Sequence, residues 1–180
     1  MLYSTYTNCN GMRSMSEKKL YLDGLELNYE GLFDLNELLK TIDGLIKQRG
    51  YVKGEKRREE VIKPTGREFS MELRPVKKKT DYFILMVKMR ISITNMTDVE
   101  VLKDEARTIM NKGNISIIFD AWTTTDYEFR WEQKPLFYFF RNLFERTIYK
   151  FHTDRFSDEL IDDTHFFYNN IKAFLNLGKI

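Results

Sequence analysis

Hydrophobic and polar positions alternate where the patterned part of the chain begins. Between Leu20 and Tyr29, the apolar residues Leu25 and Leu27 are separated by polar neighbours, and this period of two predicts a half-buried strand. Gly24 indicates a bend or bulge within the strand. The first predicted element is therefore a strand with an irregular middle.

The next segment changes to the period of a helix. Asp34 followed by Glu37 has the spacing of a capping box, in which side chains satisfy the first free N–H groups of a helix. Gly50 predicts the end of the helix, and Gly44 is its weakest interior position. The apolar face of this helix comprises Leu35, Leu38, Leu39, Ile42, Leu45 and Ile46.

The period of two returns between Tyr51 and Trp131. Residues 83–93 show the clearest alternation, which predicts an antiparallel strand with one face in the core and the other partly wet. A shorter alternation precedes it at Phe69, Met71 and Leu73. The inward positions of the clearest strand are Phe83, Leu85, Val87, Met89, Ile91 and Ile93.

The pattern after residue 95 is more broken. We expect residues 99–102 and 108–110 to form a short hairpin, followed by a turn at residues 111–114. From Ile115 to Trp131 the alternation predicts one long or kinked strand.

Two helices are predicted at the end of the chain. Pro135 suits the first turn of a helix, and apolar residues follow at helical spacing as far as Thr147. The last helix is expected to begin at Ser157 and to stop near Gly178. Its stripe is Leu160, Thr164, Phe167, Ile171, Phe174 and Leu175.

This order of elements lacks the strand–helix alternation of a parallel sheet. The sequence therefore predicts an α+β fold, an antiparallel β-sheet of about six or seven strands packed by one N-terminal-side helix and two C-terminal helices. We expect a single domain over residues 18–180, a common size for one domain, and a mobile tail at residues 1–17.

Composition indicates a cytoplasmic protein. Cys9 is the single cysteine, so no disulfide can close within the chain, which is typical of a reducing compartment. The first residues lack the apolar core of a signal peptide, and no uncharged apolar run is long enough to span a membrane.

Charge is distributed unevenly along the chain. Between Lys47 and Lys79 there are twelve basic and five acidic residues, whereas residues 154–163 contain five acidic residues and one basic residue. A basic sheet edge or hairpin tip could contact RNA or a ribosomal surface, although the same charges also protect exposed edges from aggregation. The opposite charges of these two segments also favour a homo-oligomer, because they could attract each other between two copies of the chain. The candidate partner-binding residues are Lys53, Lys56, Arg57, Arg58, Arg74, Lys77, Lys78 and Lys79, the last three in an expected hairpin turn.

Aromatic residues are concentrated near the predicted helix after Pro135. Four consecutive rings, from Phe137 to Phe140, spread around a helical turn, so this helix is either buried between two layers or exposed at an interface. Tyr51, Tyr82 and Trp122 fit a base-stacking platform better, because they lie on predicted strands. The candidate interface or pocket aromatics are Trp122, Trp131, Phe137, Phe140 and Phe144.

Residues that could carry catalysis are few. We find no phosphate-binding glycine loop, nucleophile elbow or cysteine-rich zinc pattern, and we expect no cofactor. Asp158, Asp162 and His165 share one side of the last predicted helix and form a weak metal-site candidate. An acidic, solvated helix face near a helix N-terminus produces the same pattern more often.

Several segments give the chain a resemblance to a known group. They are residues 81–82, 126–127, 130–132 and 171–177, together with Pro135 and the aromatic helix after it. Over roughly residues 19–177 the chain resembles a family of uncharacterised archaeal proteins, which implies no catalytic residue. The order of elements is also similar to helix-grip domains, in which a curved sheet wraps a C-terminal helix and holds an apolar ligand. That likeness is one of fold, which does not determine function.

Three functions are compatible with these patterns. The first is a non-catalytic interaction protein that self-associates and engages an acidic partner, such as RNA or a ribosomal surface, through the basic region. The second is a carrier or sensor of a small apolar ligand in a helix-grip-like pocket. The third is a hydrolase or metal-dependent enzyme built on the Asp158 group.

Overall fold

The computed structural model describes residues 18–64, 66–80, 83–103, 106–125 and 149–177. Their order is β1 (Lys18–Phe33), α1 (Leu35–Gln48), β2 (Glu55–Lys63), β3 (Gly66–Leu73), β4 (Val76–Lys78), β5 (Phe83–Lys103), β6 (Ala106–Thr125) and α2 (Tyr149–Leu177). The predicted tail at 1–17, strand at 127–131 and helix at 136–147 fall outside the described residues.

The six described strands form one antiparallel sheet, which confirms the predicted α+β class. The strand order is β1-β6-β5-β3-β2, and β4 pairs with β5 beyond the end of β3. β3 and β4 therefore follow one another along the same side of β5, with Pro75 between them. In the described part of the chain, β1 and β2 are the two outer strands of this order, and the short β4 has a single bridge from Val52 on its free side.

The core lies on the face of the sheet that the helices cover. Alternate residues of β5, including Leu85, Val87 and Met89, are fully buried there, as their period of two predicts. α1 contributes four buried side chains of its predicted stripe: Leu38, Ile42, Leu45 and Ile46. The buried positions of the predicted α2 stripe are Leu160, Thr164, Phe167, Ile171 and Leu175.

The ends of α1 follow the predicted signals. Asp34 is the N-cap, and its carboxylate accepts hydrogen bonds from the amide N–H groups of Asn36 (2.8 Å) and Glu37 (3.0 Å). Gly50 has φ of +72°, a left-handed conformation that favours glycine after a helix.

β1 is bent at its middle. The pairing of β1 with β6 shifts register between Leu22 and Leu25, and Gly24 adopts a positive φ of 67°. The Gly24 N–H donates a hydrogen bond to Asp120 on β6 (3.0 Å), and Arg90 on β5 pairs with the same carboxylate (2.9 Å). A buried side chain on the neighbouring strand thus holds the bend that Gly24 predicts.

The predicted hairpin of residues 99–102 and 108–110 is confirmed as the end of a longer hairpin formed by β5 and β6, whereas the predicted turn at residues 111–114 is wrong. β5 and β6 continue through both regions and pair as far as Lys103 and Ala106, so residues 111–114 lie inside β6. The irregularity is on the other strand, where a bulge between Thr94 and Thr97 places Asn95 at a φ of +55°.

Two further boundaries differ from prediction. α2 begins at Tyr149, so Ser157 is a buried residue inside the helix and not its cap. The predicted hairpin turn at Lys77 to Lys79 is also wrong, because Val76–Lys78 forms β4. Neither described helix has an apolar stretch long enough to cross a bilayer.

Candidate interaction surface

Most of the predicted basic surface already has acidic partners within the chain. Lys53 pairs with a carboxylate on α1, and Arg57 and Arg74 each pair with a glutamate two positions away on the same strand or next to it. The distances are 2.9 Å for Lys53–Asp43, 2.8 Å for Arg57–Glu59 and 2.6 Å for Arg74–Glu72. Each of these cations therefore has a carboxylate beside it, in an exposed pair that is individually weak.

Lys77 and Lys79 are directed towards α2. Lys77 lies on β4 opposite the buried residue Leu85, which places its side chain on the helix-covered face of the sheet. Its Nζ is 2.8 Å from Glu159 and 3.2 Å from Asp163. Lys79 also pairs with Glu159, whereas Lys78 is exposed on the opposite face.

Asp163 is the buried centre of these contacts. It is 1 % exposed and pairs with Lys77 and, at 3.4 Å, with Arg49 at the end of α1. We call Arg49, Lys77, Lys79, Glu159 and Asp163 the Asp163 cluster. It joins α1, the β4 region and α2 through charge-assisted contacts.

The cluster shifts the pKa values of two of its members, Lys77 and Glu159. Burial alone would lower the pKa of Lys77, but hydrogen bonds to Glu159 and Asp163 raise it overall. Burial would raise the pKa of Glu159, but hydrogen bonds from Lys77 and Lys79 lower it. Both groups are therefore held in their charged forms.

Tyr51 lies beneath the same cluster. Burial raises the pKa of its hydroxyl, and the nearby Asp163 carboxylate adds to the rise. Among the described residues this hydroxyl has no well-formed hydrogen bond, so Asp163 acts on it mainly through charge. The ring packs edge-on against Phe167 with centroids 5.7 Å apart.

The acidic segment of the chain therefore meets the basic segment within one copy. Sequence reasoning expected opposite charges to attract a second copy, but Glu159 and Asp163 are occupied by Lys77, Lys79 and Arg49. The cluster therefore positions α2 on the sheet. Its charges are paired within one chain, so they do not favour contact with a second copy.

The edge strand β2 is the most open surface of the described sheet. All nine of its residues, Glu55–Lys63, are exposed, and among the described strands it pairs with β3 alone. Ile62 is 82 % exposed and Val61 50 % exposed, which is unusual for apolar side chains on neighbouring positions. An exposed strand edge presents unpaired N–H and C=O groups, so it is suited to pairing with another strand.

The two edge strands differ in regularity. β1 shifts register twice and contains two glycines with positive φ, Gly24 and Gly31, and such irregularities oppose further pairing. β2 has one register shift, between Glu55 and Arg57, and pairs without interruption from Arg57 to Lys63. β2 is thus the better template for an added strand.

Two predicted cations of β2 lack a carboxylate partner among the described residues. Lys56 is exposed, and the Arg58 guanidinium lies 5.5 Å from the centre of the Phe69 ring. Both belong to the predicted partner-binding set, and both lie on the open edge strand.

The outer face of the sheet has a shallow groove lined mostly by polar residues. Its volume is about 440 Å³, and its lining includes Asn28, Ser92 and Ser116, which are aligned across β1, β5 and β6. Pockets for apolar ligands are usually lined by several aromatic side chains, whereas Tyr29 is the single aromatic residue among the described residues that line this groove.

The predicted aromatic platform is only partly described. Tyr51 is 3 % exposed beneath α2, so the expectation that it stacks on a base is wrong. Trp122 lies on the outer face opposite Met86, and its buried Nε1 has no hydrogen-bond partner among the described residues. Trp131, Phe137, Phe140, Phe144 and Tyr82 fall outside the described residues.

The weak metal candidate gains no support. Asp158, Asp162 and His165 are exposed on α2. Within the described ranges, no three carboxylate, thiol or imidazole side chains come together to hold a metal ion. α2 begins well before Asp158, at Tyr149, so the proposed helix-end explanation of these acids is also wrong.

Comparisons with known proteins do not identify a family. No family model and no curated protein matches the chain. A solved structure of an uncharacterised protein from Rhizobium leguminosarum aligns at 7 % identity over 91 % of this chain and 99 % of that one, with a TM-score of 0.26. So low a TM-score carries no argument about fold or function, and the predicted archaeal resemblance stays a prediction.

Proposed function

We propose that this protein is a non-catalytic interaction protein that self-associates, and that the edge strand β2 is its contact surface. The observation that carries the proposal is the exposure of β2 along its entire length, with a regular backbone from Arg57 to Lys63. A strand of this kind can add a second strand through main-chain hydrogen bonds.

The side chains of β2 support a protein partner. Exposed Val61 and Ile62 offer apolar area, while the charged residues on either side keep the separate chains soluble. An RNA surface would instead need cations free to approach phosphates. Lys53, Arg57, Arg74, Lys77 and Lys79 are all engaged with carboxylates.

Sedimentation velocity of the full chain over a concentration series tests the proposal. We expect the average mass to rise from 21.7 kDa for one chain towards twice that value as concentration increases. A single monomeric species at every concentration would refute self-association.

A further inference from the structure

The order of charges along β2 restricts which strand could pair with it. The sequence from Glu55 to Lys63 is acidic at its first position, basic at the next three, acidic at the next two, then apolar twice and basic at the end. Reversing this order brings acidic residues opposite basic ones. Because antiparallel pairing reverses one strand relative to the other, a second copy of β2 is a suitable partner.

Symmetry reduces the possible pairings to a few. Two identical antiparallel strands in one sheet are related by a two-fold axis perpendicular to the sheet, so the axis must pass beside a residue that faces its own copy. An axis at Arg57 places Lys56 opposite Arg58, and an axis at Glu60 places Arg57 opposite Lys63. The first arrangement also places Glu55 opposite Glu59, and symmetry repeats every one of these like-charge pairs.

An axis at Arg58 or at Glu59 avoids that penalty. With the axis at Arg58, this arginine faces its own copy. Arg58 has no carboxylate partner among the described residues, so nothing there offsets the repulsion between the two guanidinium groups. With the axis at Glu59, each Arg58 faces Glu60 of the other copy, and each Glu55 faces Lys63. The second arrangement uses all nine residues of the strand and keeps its centre on the regular segment 57–61.

The remaining positions fit the axis at Glu59. The two central Glu59 carboxylates are each paired with Arg57 of their own chain at 2.8 Å, which limits their mutual repulsion. Val61 lies opposite Arg57 of the other copy and Ile62 opposite Lys56, so the aliphatic stems of the cations cover the exposed apolar groups.

From this charge order and the open edge, we infer that β2 pairs antiparallel with β2 of a second copy about a two-fold axis at Glu59, joining two sheets into one. This inference rests on the proposed self-association and specifies its partner and register.

Charge-swap variants test the register. Arg58→Glu brings two carboxylates face to face at each of the two symmetry-related pairs, and Glu60→Arg brings two guanidinium groups face to face at the same pairs. We expect each single variant to weaken the dimer about tenfold, because symmetry repeats the repulsive pair. The double variant restores opposite charges at both pairs and should return dimerisation to about the wild-type level.

Arg107→Glu is the matched control. It makes the same charge change at the end of the β5–β6 hairpin, where the Arg107 side chain is 81 % exposed, and it should leave the dimer unchanged. Circular dichroism of every variant verifies that the fold is retained, as expected for substitutions at exposed positions.

The outcomes separate this inference from the function on which it rests. A wild-type dimer that neither single variant weakens leaves self-association standing but overturns pairing through β2. If both single variants dimerise weakly and the double variant does not recover dimerisation, the register at Glu59 is overturned. An axis at Arg58 predicts that the double variant does not recover. A wild type that is monomeric throughout overturns both.

Discussion

The carboxylate of Asp163 is held inside the protein by cations from two different elements. Arg49 and Lys77 are its partners, and the side chain of Asp163 is 2 % exposed. Removing one member of a buried ion pair leaves the others without compensation. Asp163 should therefore contribute far more to the free energy of unfolding than an exposed aspartate does.

Asp163→Asn tests this contribution. We expect the free energy of unfolding to fall by about 2–3 kcal/mol, measured by urea denaturation, because the neutral amide cannot balance Arg49 and Lys77. Asp162→Asn makes the same change at the exposed neighbouring position on α2 and should alter stability by less than about 0.5 kcal/mol. Equal effects of the two substitutions would contradict the role assigned to Asp163.

The lowered pKa of Glu159 predicts a pH dependence. A carboxylate whose pKa is lower in the folded state than its ordinary value of 4.5 stabilises the fold above that value, and the contribution is lost as pH falls through the folded pKa. Thermal unfolding should show Glu159→Gln to be less stable than wild type at pH 7, with the difference disappearing in acid.

Glu100→Gln provides the control for that pH series. The Glu100 side chain is 72 % exposed and 4.0 Å from Arg107, so its removal should have little effect at any pH. A constant difference between Glu159→Gln and wild type from pH 7 to acid would show that its carboxylate charge is not what stabilises the fold.

Local sequence could not reveal the Asp163 cluster. Consecutive lysines at 77–79 have the composition of a solvated turn, and Lys77 finds its partner Asp163 at a separation of 86 residues. Such contacts depend on the tertiary fold, which neither periodicity nor spacing records. The α2 stripe was predictable because it depends only on the helical period.

At the scale of elements, glycine has opposite roles in α1 and β6. Gly44 lies in α1 with open space where a Cβ would be placed, whereas a Cβ on Gly113 would lie 2.9 Å from the Thr94 carbonyl oxygen. The second glycine permits the close approach of the bulge at Thr94–Thr97.

The same substitution at these two positions should therefore have opposite effects. Gly44→Ala should stabilise the fold by about 0.5–1 kcal/mol, because alanine lowers the entropic cost of helix formation. Gly113→Ala should destabilise it by about 1–3 kcal/mol, because the backbone of β5 must move. Urea denaturation of the two variants measures both; stabilisation by Gly113→Ala would contradict the close packing at the bulge.

The bulge explains why one predicted turn was wrong. Asn111, Lys112, Gly113 and Asn114 have the composition of a turn. In the structure, Gly113 makes room for a neighbouring strand, and the chain does not reverse there. Sequence composition indicated an unusual backbone requirement but not which of the two strands would be irregular.

At the scale of the whole molecule, the antiparallel sheet and its α+β class could be predicted from the long period-two segments and the absence of strand–helix alternation. The contacts that the basic side chains make could not be predicted. The excess charge of the basic region suggested an acidic partner outside the chain, but Lys77 and Lys79 pair with Glu159 on α2, and Lys53 pairs with Asp43 on α1. Among the described strands, the edge strand β2 is exposed at every residue.

Hydrogen exchange measured as a function of protein concentration tests the account most directly. Amides of β2 that point away from β3 exchange freely in a single copy and gain hydrogen bonds when a second β2 is added. We predict that peptides covering residues 55–63 become more protected as concentration rises, while those covering the edge strand β1 do not change. Protection of residues 55–63 that is the same at all concentrations, or that appears in β1 instead, would contradict assembly through β2.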